Sequence, residues 1–270
     1  MFGKLLKYEF KSLGKWYLSL YAITGLLSLV IGFWVQTIAY RSEHNARFLE
    51  NGPAFAESLL LGITIFAFAI IIIGLLISTF FLVVSRFYKN IYGRQGYLTM
   101  TLPVNSHQLI LSKLVAALIW YFIASLVILL SGFIIAGISL SQQMPSMADF
   151  VNEAWTQFNF LISLYFLDGI LFFFSIFINT VLGILLSYFA ISLGQLFKDH
   201  RVLLAVAFYV GLNFVLGIIQ TMTSITSTVN YEEVMAPIRQ NPVLLVLNIL
   251  MALGFYFGTH FIMTKKLNLQ

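Results

Sequence analysis

Few residues of this 270-residue chain are equipped for chemistry, and their spacing limits what they can do. The four histidines, His44, His107, His200 and His260, stand far apart. None belongs to an H-E-x-x-H motif that would set two imidazoles on one helix face for a metal. The stretch 232-EEVMAPIR-239 holds a carboxylate pair and an arginine, which raises an intramembrane protease built on two glutamates. The arginine is wrongly spaced for E-E-x-x-x-R, the segment lies outside every long apolar run, and no histidine-rich partner motif follows. There is no cysteine for a disulfide or a thiolate metal site. No G-x-x-x-x-G-K-[ST] loop occurs, so any nucleotide chemistry must come from another polypeptide. The expectation is a chain with no catalytic residues, no metal site and no bound cofactor, and not an enzyme.

The elements that carry these residues follow from composition. The chain is 60% hydrophobic and only 9% charged, with 27 phenylalanines, and its mean hydropathy is +0.93. A soluble domain is about a quarter charged, so this chain cannot cover a water-facing surface. A spanning helix needs about 20 apolar residues. Six runs qualify, at 17–39, 59–85, 108–140, 159–193, 202–222 and 243–264. They are too long for strands and lack period-2 alternation, so helices must satisfy their backbone in lipid. The expected fold is an all-α polytopic membrane protein, a single transmembrane domain over 1–270. The third and fourth runs exceed the hydrocarbon thickness and should tilt, project or break, with Asn179 and Gly183 as break points in the fourth.

Charge sets the orientation. If the N-terminus is cytoplasmic, Lys4, Lys7, Lys11, Lys15, Arg86, Lys89, Arg94, Lys113, Lys198, Arg201, Lys265 and Lys266 lie on the inner side. Only Arg41, Arg47 and Arg239 lie outside. That follows the positive-inside rule at every loop. Glu43, Glu50, Glu57, Asp149, Glu153, Glu232 and Glu233 lie outside. Both termini are therefore expected in the cytoplasm. Orientation accounts for the net charge of +5, and nucleic-acid binding is not needed.

On a helical wheel of residues 2–17, Lys4, Lys7, Lys11 and Lys15 share a narrow arc opposite Phe2, Leu5, Leu6, Phe10, Leu13, Trp16 and Tyr17. This pattern predicts an amphipathic helix over 1–16 at the inner membrane interface, touching lipid headgroups. Glu9 falls within the apolar arc. It either pairs with a cation of another cytoplasmic segment, Arg94 or Arg86, or reaches water. Asp168 is the acid inside a predicted span. It either lines a translocation path or lies near enough to the outer helix end to meet water. Asn179, Asn213, Gln220 and Asn248 are uncharged and suited to joining helices.

The connection 86-RFYKNIYGRQGYLTMTLPVNSH-107 is the most informative segment. Gly93 and Gly96 bracket Arg94 and Gln95 and should interrupt the second helix. Pro103 biases Leu102 away from helix. Asn105, with Gln108 three residues on, resembles a capping box before the third helix. Between these marks lie Tyr97, Leu98, Met100 and Leu102, a compact apolar group with a basic fringe. It packs on the protein's own helices or headgroups, or it docks a cytoplasmic partner.

These residues resemble the connection between the second and third helices of ABC-2 type permeases, the membrane subunits of bacterial ABC exporters. That family carries G-Y-L-x-x-T-L-P-V-S followed by a helix with a leucine and S-K near its start. Gly96, Tyr97, Leu98, Thr101, Leu102, Pro103, Val104, Leu111, Ser112 and Lys113 match, and Asn105 stands where Ser is usual. The opening LLKYE is similar too and includes Glu9. The resemblance implies a coupling element formed by Tyr92, Arg94, Gly96, Tyr97, Leu98, Met100, Thr101, Leu102 and Pro103, seated in a cleft of an ATP-binding subunit. It implies two ATPases holding ATP and Mg, a second permease subunit, and residence in a bacterial inner membrane. The outer loop 223–242 has room for a short helix dipping toward the membrane before the last span, as in that family. The turn 194-GQLFKDHR-201 is a basic connection or a second ATPase contact. The implied activity is outward export of a hydrophobic or amphipathic cargo such as a peptide, an antibiotic or a lipid-like molecule, which would serve antibiotic resistance or peptide export. The rival readings are a secondary transporter, for which a single intramembrane acid and no visible repeat are poor equipment, and a non-transporting structural subunit.

Overall fold

The computed structural model describes residues 2–44, 55–93, 105–140, 147–197, 199–227 and 242–265. Among them six α-helices and no strand occur: α1 Phe2–His44, α2 Phe55–Ile91, α3 Ser106–Leu140, α4 Met147–Gly194, α5 Arg201–Ser227 and α6 Pro242–Lys265. Each contains a segment long and apolar enough to cross a membrane. Large apolar side chains on these helices are open to the surroundings, Phe173 at 73% and Phe214 at 70% among them. Lipid is the medium in which such a surface is stable, and the chain is a multi-pass membrane protein.

The helices outrun the apolar runs. The backbone continues as helix through Tyr40–His44, through Arg86–Ile91 and back to Met147, because no proline or glycine interrupts those polar stretches. Two expectations change. Residues 2–16 are the opening turns of the 43-residue α1, continuous with the first span and not a separate interfacial helix. No break occurs at Asn179 or Gly183, which lie within the unbroken 48-residue α4. The Asn179 side chain accepts from Asn248 of α6 at 2.9 Å and donates to Ser175 Oγ of its own helix at 3.5 Å, and an added Cβ at Gly183 would meet nothing within 4 Å, so neither residue disturbs the backbone ladder.

The chain divides into two compact units. One comprises residues 10–80 and 119–161, the other 1–9, 81–118 and 162–270. In the first, the core holds Thr24, Ser28, Ile31, Leu75, Thr79, Ala124 and Ser131. Gly32 lets Ile138 approach, and a Cβ there would lie 3.0 Å from the Ile138 Cβ. In the second, Phe87, Ile91, Leu109, Ile110, Leu185, Leu186, Tyr188, Ile191, Ile262 and Met263 are buried.

Several buried serine and threonine hydroxyls are satisfied within their own helices. Thr24 donates to the Leu20 carbonyl at 2.8 Å, Thr79 to Leu75 at 2.7 Å, Ser112 to Leu109 at 2.9 Å and Thr259 to Phe255 at 2.7 Å. This back-bonding lets small polar residues sit inside a membrane bundle without an uncompensated donor.

Candidate functional site

The connection between α2 and α3 begins on one tightly held helix end. Tyr92 and Gly93 both donate backbone N–H groups to the Tyr88 carbonyl, at 2.9 and 3.0 Å, which closes α2. An added Cβ at Gly93 would fall 2.6 Å from the Lys89 carbonyl oxygen, so only glycine fits this closure. Phe87 is fully buried and stacks on Tyr188 of α4, with ring centroids 3.8 Å apart and planes 7° apart. The Tyr92 ring meets Phe87 edge-on at 6.2 Å. Its hydroxyl donates to Ser192 Oγ of α4 at 2.7 Å. Ser192 in turn donates to the Tyr188 carbonyl at 2.8 Å. Burial pushes the Tyr92 hydroxyl up to about 12, and the bond to Ser192 offsets this in part.

The other end of the connection is held by a different helix. The Asn105 carbonyl accepts the first helical N–H of α3, from Leu109 at 3.2 Å, which gives Asn105 the N-cap position expected of it. His107 Nδ1 lies 2.8 Å from the Tyr256 hydroxyl of α6. The His107 ring stacks on His260 of α6, centroids 3.8 Å apart. Two of the four scattered histidines are thus brought together by a separation of 153 residues in sequence that spacing could not reveal. Leu109 and Ile110 seat the first turn of α3 in the core. One foot of the connection therefore rests on α4 and the other on α6.

Of the residues expected in a coupling element, Tyr92 is described and lies at the first foot. Arg94, Gly96, Tyr97, Leu98, Met100, Thr101, Leu102 and Pro103 lie outside the described residues. Glu9 sits in the helical backbone of α1 and Asp168 in that of α4, and the side chains of both are outside the described part. The proposed Glu9–Arg94 pair accordingly falls outside it as well. Ser112 and Lys113 are both buried in α3.

Farther along the same helices, three amides join three spans. Gln220 of α5 donates to Asn248 Oδ1 of α6 at 3.1 Å. Asn248 donates to Asn179 Oδ1 of α4 at 2.9 Å. Asn213, expected to act likewise, donates instead to Tyr209 of its own helix at 2.8 Å. Asn248 is the hub and is buried.

The turn between α4 and α5 is closed by a residue in the left-handed region, His200, with φ of 52°. Phe197 in the turn stacks on Phe208 of α5 at 5.9 Å. Among the described residues no three of His, Asp or Glu gather where they could hold a metal.

These features define a multi-pass α-helical membrane protein whose second connection is braced at both ends. No protein-family signature, curated protein or solved structure matches the chain.

Proposed function

We propose that this chain is the membrane subunit of an ATP-driven exporter, resembling the ABC-2 type permeases, and that residues 94–104 couple it to a separate ATPase. The observation that carries the reading is the bracing of that connection. Its entry is clamped to α4 by the Phe87–Tyr188 stack and the Tyr92–Ser192 bond. Its exit is clamped to α6 through His107, Tyr256 and His260. A force applied to the intervening apolar group passes into two spans rather than dissipating in a slack loop. The cation distribution supports placing this connection in the cytoplasm, where an ATPase would be.

On this reading two ATPases with bound ATP and Mg drive a pair of permeases in a bacterial inner membrane. The cargo is hydrophobic or amphipathic, of the peptide, antibiotic or lipid-like class. Arg94 and Glu9 form the cytoplasmic ion pair, and Asp168 lines the path.

The test is copurification from native membranes in mild detergent, for the wild type and for a triple variant with Tyr97, Leu98 and Leu102 each changed to Asp. A soluble ATPase carrying G-x-x-x-x-G-K-[ST] elutes with the wild type and is lost with the variant. Absence of any ATPase from the wild type would overturn the reading in favour of a secondary transporter.

A further inference from the structure

The outer part of α4 carries an apolar face that no other described residue covers. Ala148, Val151, Trp155 and Phe158 are all exposed, Val151 at 54%, Trp155 at 61% and Phe158 at 51%. Trp155 and Phe158 lie side by side, ring centroids 5.8 Å apart. Their spacing is three, four and three residues, the a/d alternation of a coiled-coil seam. Asn152, Glu153, Thr156 and Asn159 stay off that seam, and at 100° per residue Glu153 points directly away from it.

The 48-residue α4 is longer than a bilayer is thick, and this face lies at its far end. The short charged turn after Gly194 is followed at once by α5, which starts at Arg201 and has only 27 residues. That turn therefore marks one membrane edge for α4. A bilayer with its headgroups is about 45 Å thick and takes up roughly 30 helical residues. Counted back from Gly194, this ends near residue 165. By that count residues 148–158, at the end of a continuous helix, project past the headgroups. A seam of large apolar side chains in water needs a protein partner.

We infer that residues 148–158 of α4 pair with the same residues of a second copy of this chain, forming a parallel two-helix contact outside the bilayer. Two copies inserted the same way and related by a twofold axis along the membrane normal bring their α4 helices together in parallel. That arrangement sets Val151 against Val151, Trp155 against Trp155 and Phe158 against Phe158. The residues flanking the seam, Asn152, Ala154 and Asn159, are uncharged, and the acids Asp149 and Glu153 face away, so nothing on the seam repels a copy of itself. This deepens the proposed pairing of two permeases and rests on that pairing, not on the ATPase.

The chain has no cysteine, so single-cysteine variants report one contact each. Val151→Cys, Phe158→Cys and the nearly isosteric Ala148→Cys, in the full-length chain in native membranes, are oxidised with copper phenanthroline and run on non-reducing gels. The expected result is that most of each seam variant becomes a disulfide-linked dimer, while Glu153→Cys yields at least tenfold less. Seam variants that stay monomeric, equal linkage at Glu153→Cys, or linkage to a different polypeptide would each overturn the inference. A seam dimer from membranes that yield no ATPase upholds the pairing and removes the exporter reading. An ATPase that copurifies with a chain showing no seam linkage does the reverse.

Discussion

Tyr92 and Ser192, one hundred positions apart, are joined by a 2.7 Å hydrogen bond in which the phenol donates and the serine oxygen accepts. The serine proton is already engaged with the Tyr188 carbonyl. The two partners are therefore unequal. Tyr92→Phe removes a donor and leaves Ser192 satisfied, at a cost of about 0.5–1.5 kcal/mol. Ser192→Ala strands a half-buried phenol without its acceptor and costs about 1–3 kcal/mol. Denaturant unfolding in detergent should rank Ser192→Ala as the more damaging, and the reverse order would contradict the assigned direction of the bond.

The same phenol sets an alkaline limit. Its ordinary pKa of 10.0 rises to about 12 through burial. The folded chain then holds this proton more tightly than the unfolded one. The associated stability is complete below pH 10, falls between pH 10 and about 12, and amounts to the order of 2–3 kcal/mol. Tyr92→Phe should flatten that part of the stability profile, and an unchanged slope would show that the phenol is not buried.

The six spans were legible because an apolar run of membrane length has only one backbone solution in lipid. Gly93 was legible as the end of the second helix, since no side chain fits its closure. The full helix lengths were not legible. Stretches such as 86-RFYKNI-91 are polar enough to look like loop, yet contain nothing that stops a helix already running. The braces were hidden for another reason. Phe87 with Tyr188, Tyr92 with Ser192 and His107 with His260 are long-range pairs between helix ends, and no local spacing announces them. Asn179 misled in the opposite sense, because a residue that breaks helices in water instead serves as an acceptor for Asn248.

Asn248 should be the most sensitive of the intramembrane amides. Asn248→Ala leaves Gln220 and Asn179 without their shared partner and costs about 1–3 kcal/mol. Asn213→Ala loses a bond within its own helix only and should cost less than about 0.5 kcal/mol. Equal losses in a thermal unfolding series would show that the three-helix network carries no special weight.

Gly258 allows α6 to lie close to α4. A Cβ there would approach the Phe189 ring to 2.5 Å. Gly258→Ala is expected to destabilise by about 1–3 kcal/mol through overpacking. Adding Phe189→Leu should recover most of the loss, and a double variant no better than the single one would place the strain elsewhere.

Gly93→Ala tests the brace functionally. The new methyl would press on the Lys89 carbonyl and redirect the chain leaving α2. Membrane insertion should be unchanged while ATPase copurification falls several-fold. Full copurification would show that the exit direction of α2 does not matter for coupling.

The proposed seat of the connection after α2 is a cleft in an ATPase. A photo-crosslinking amino acid placed at Leu98, with a control at Tyr40 near the other end of α1, tests it most directly in native membranes. The expected result is an adduct from position 98, absent from position 40, whose partner contains a G-x-x-x-x-G-K-[ST] loop. Adducts confined to this chain or to lipid would contradict it, and the connection would then be packing on its own helices.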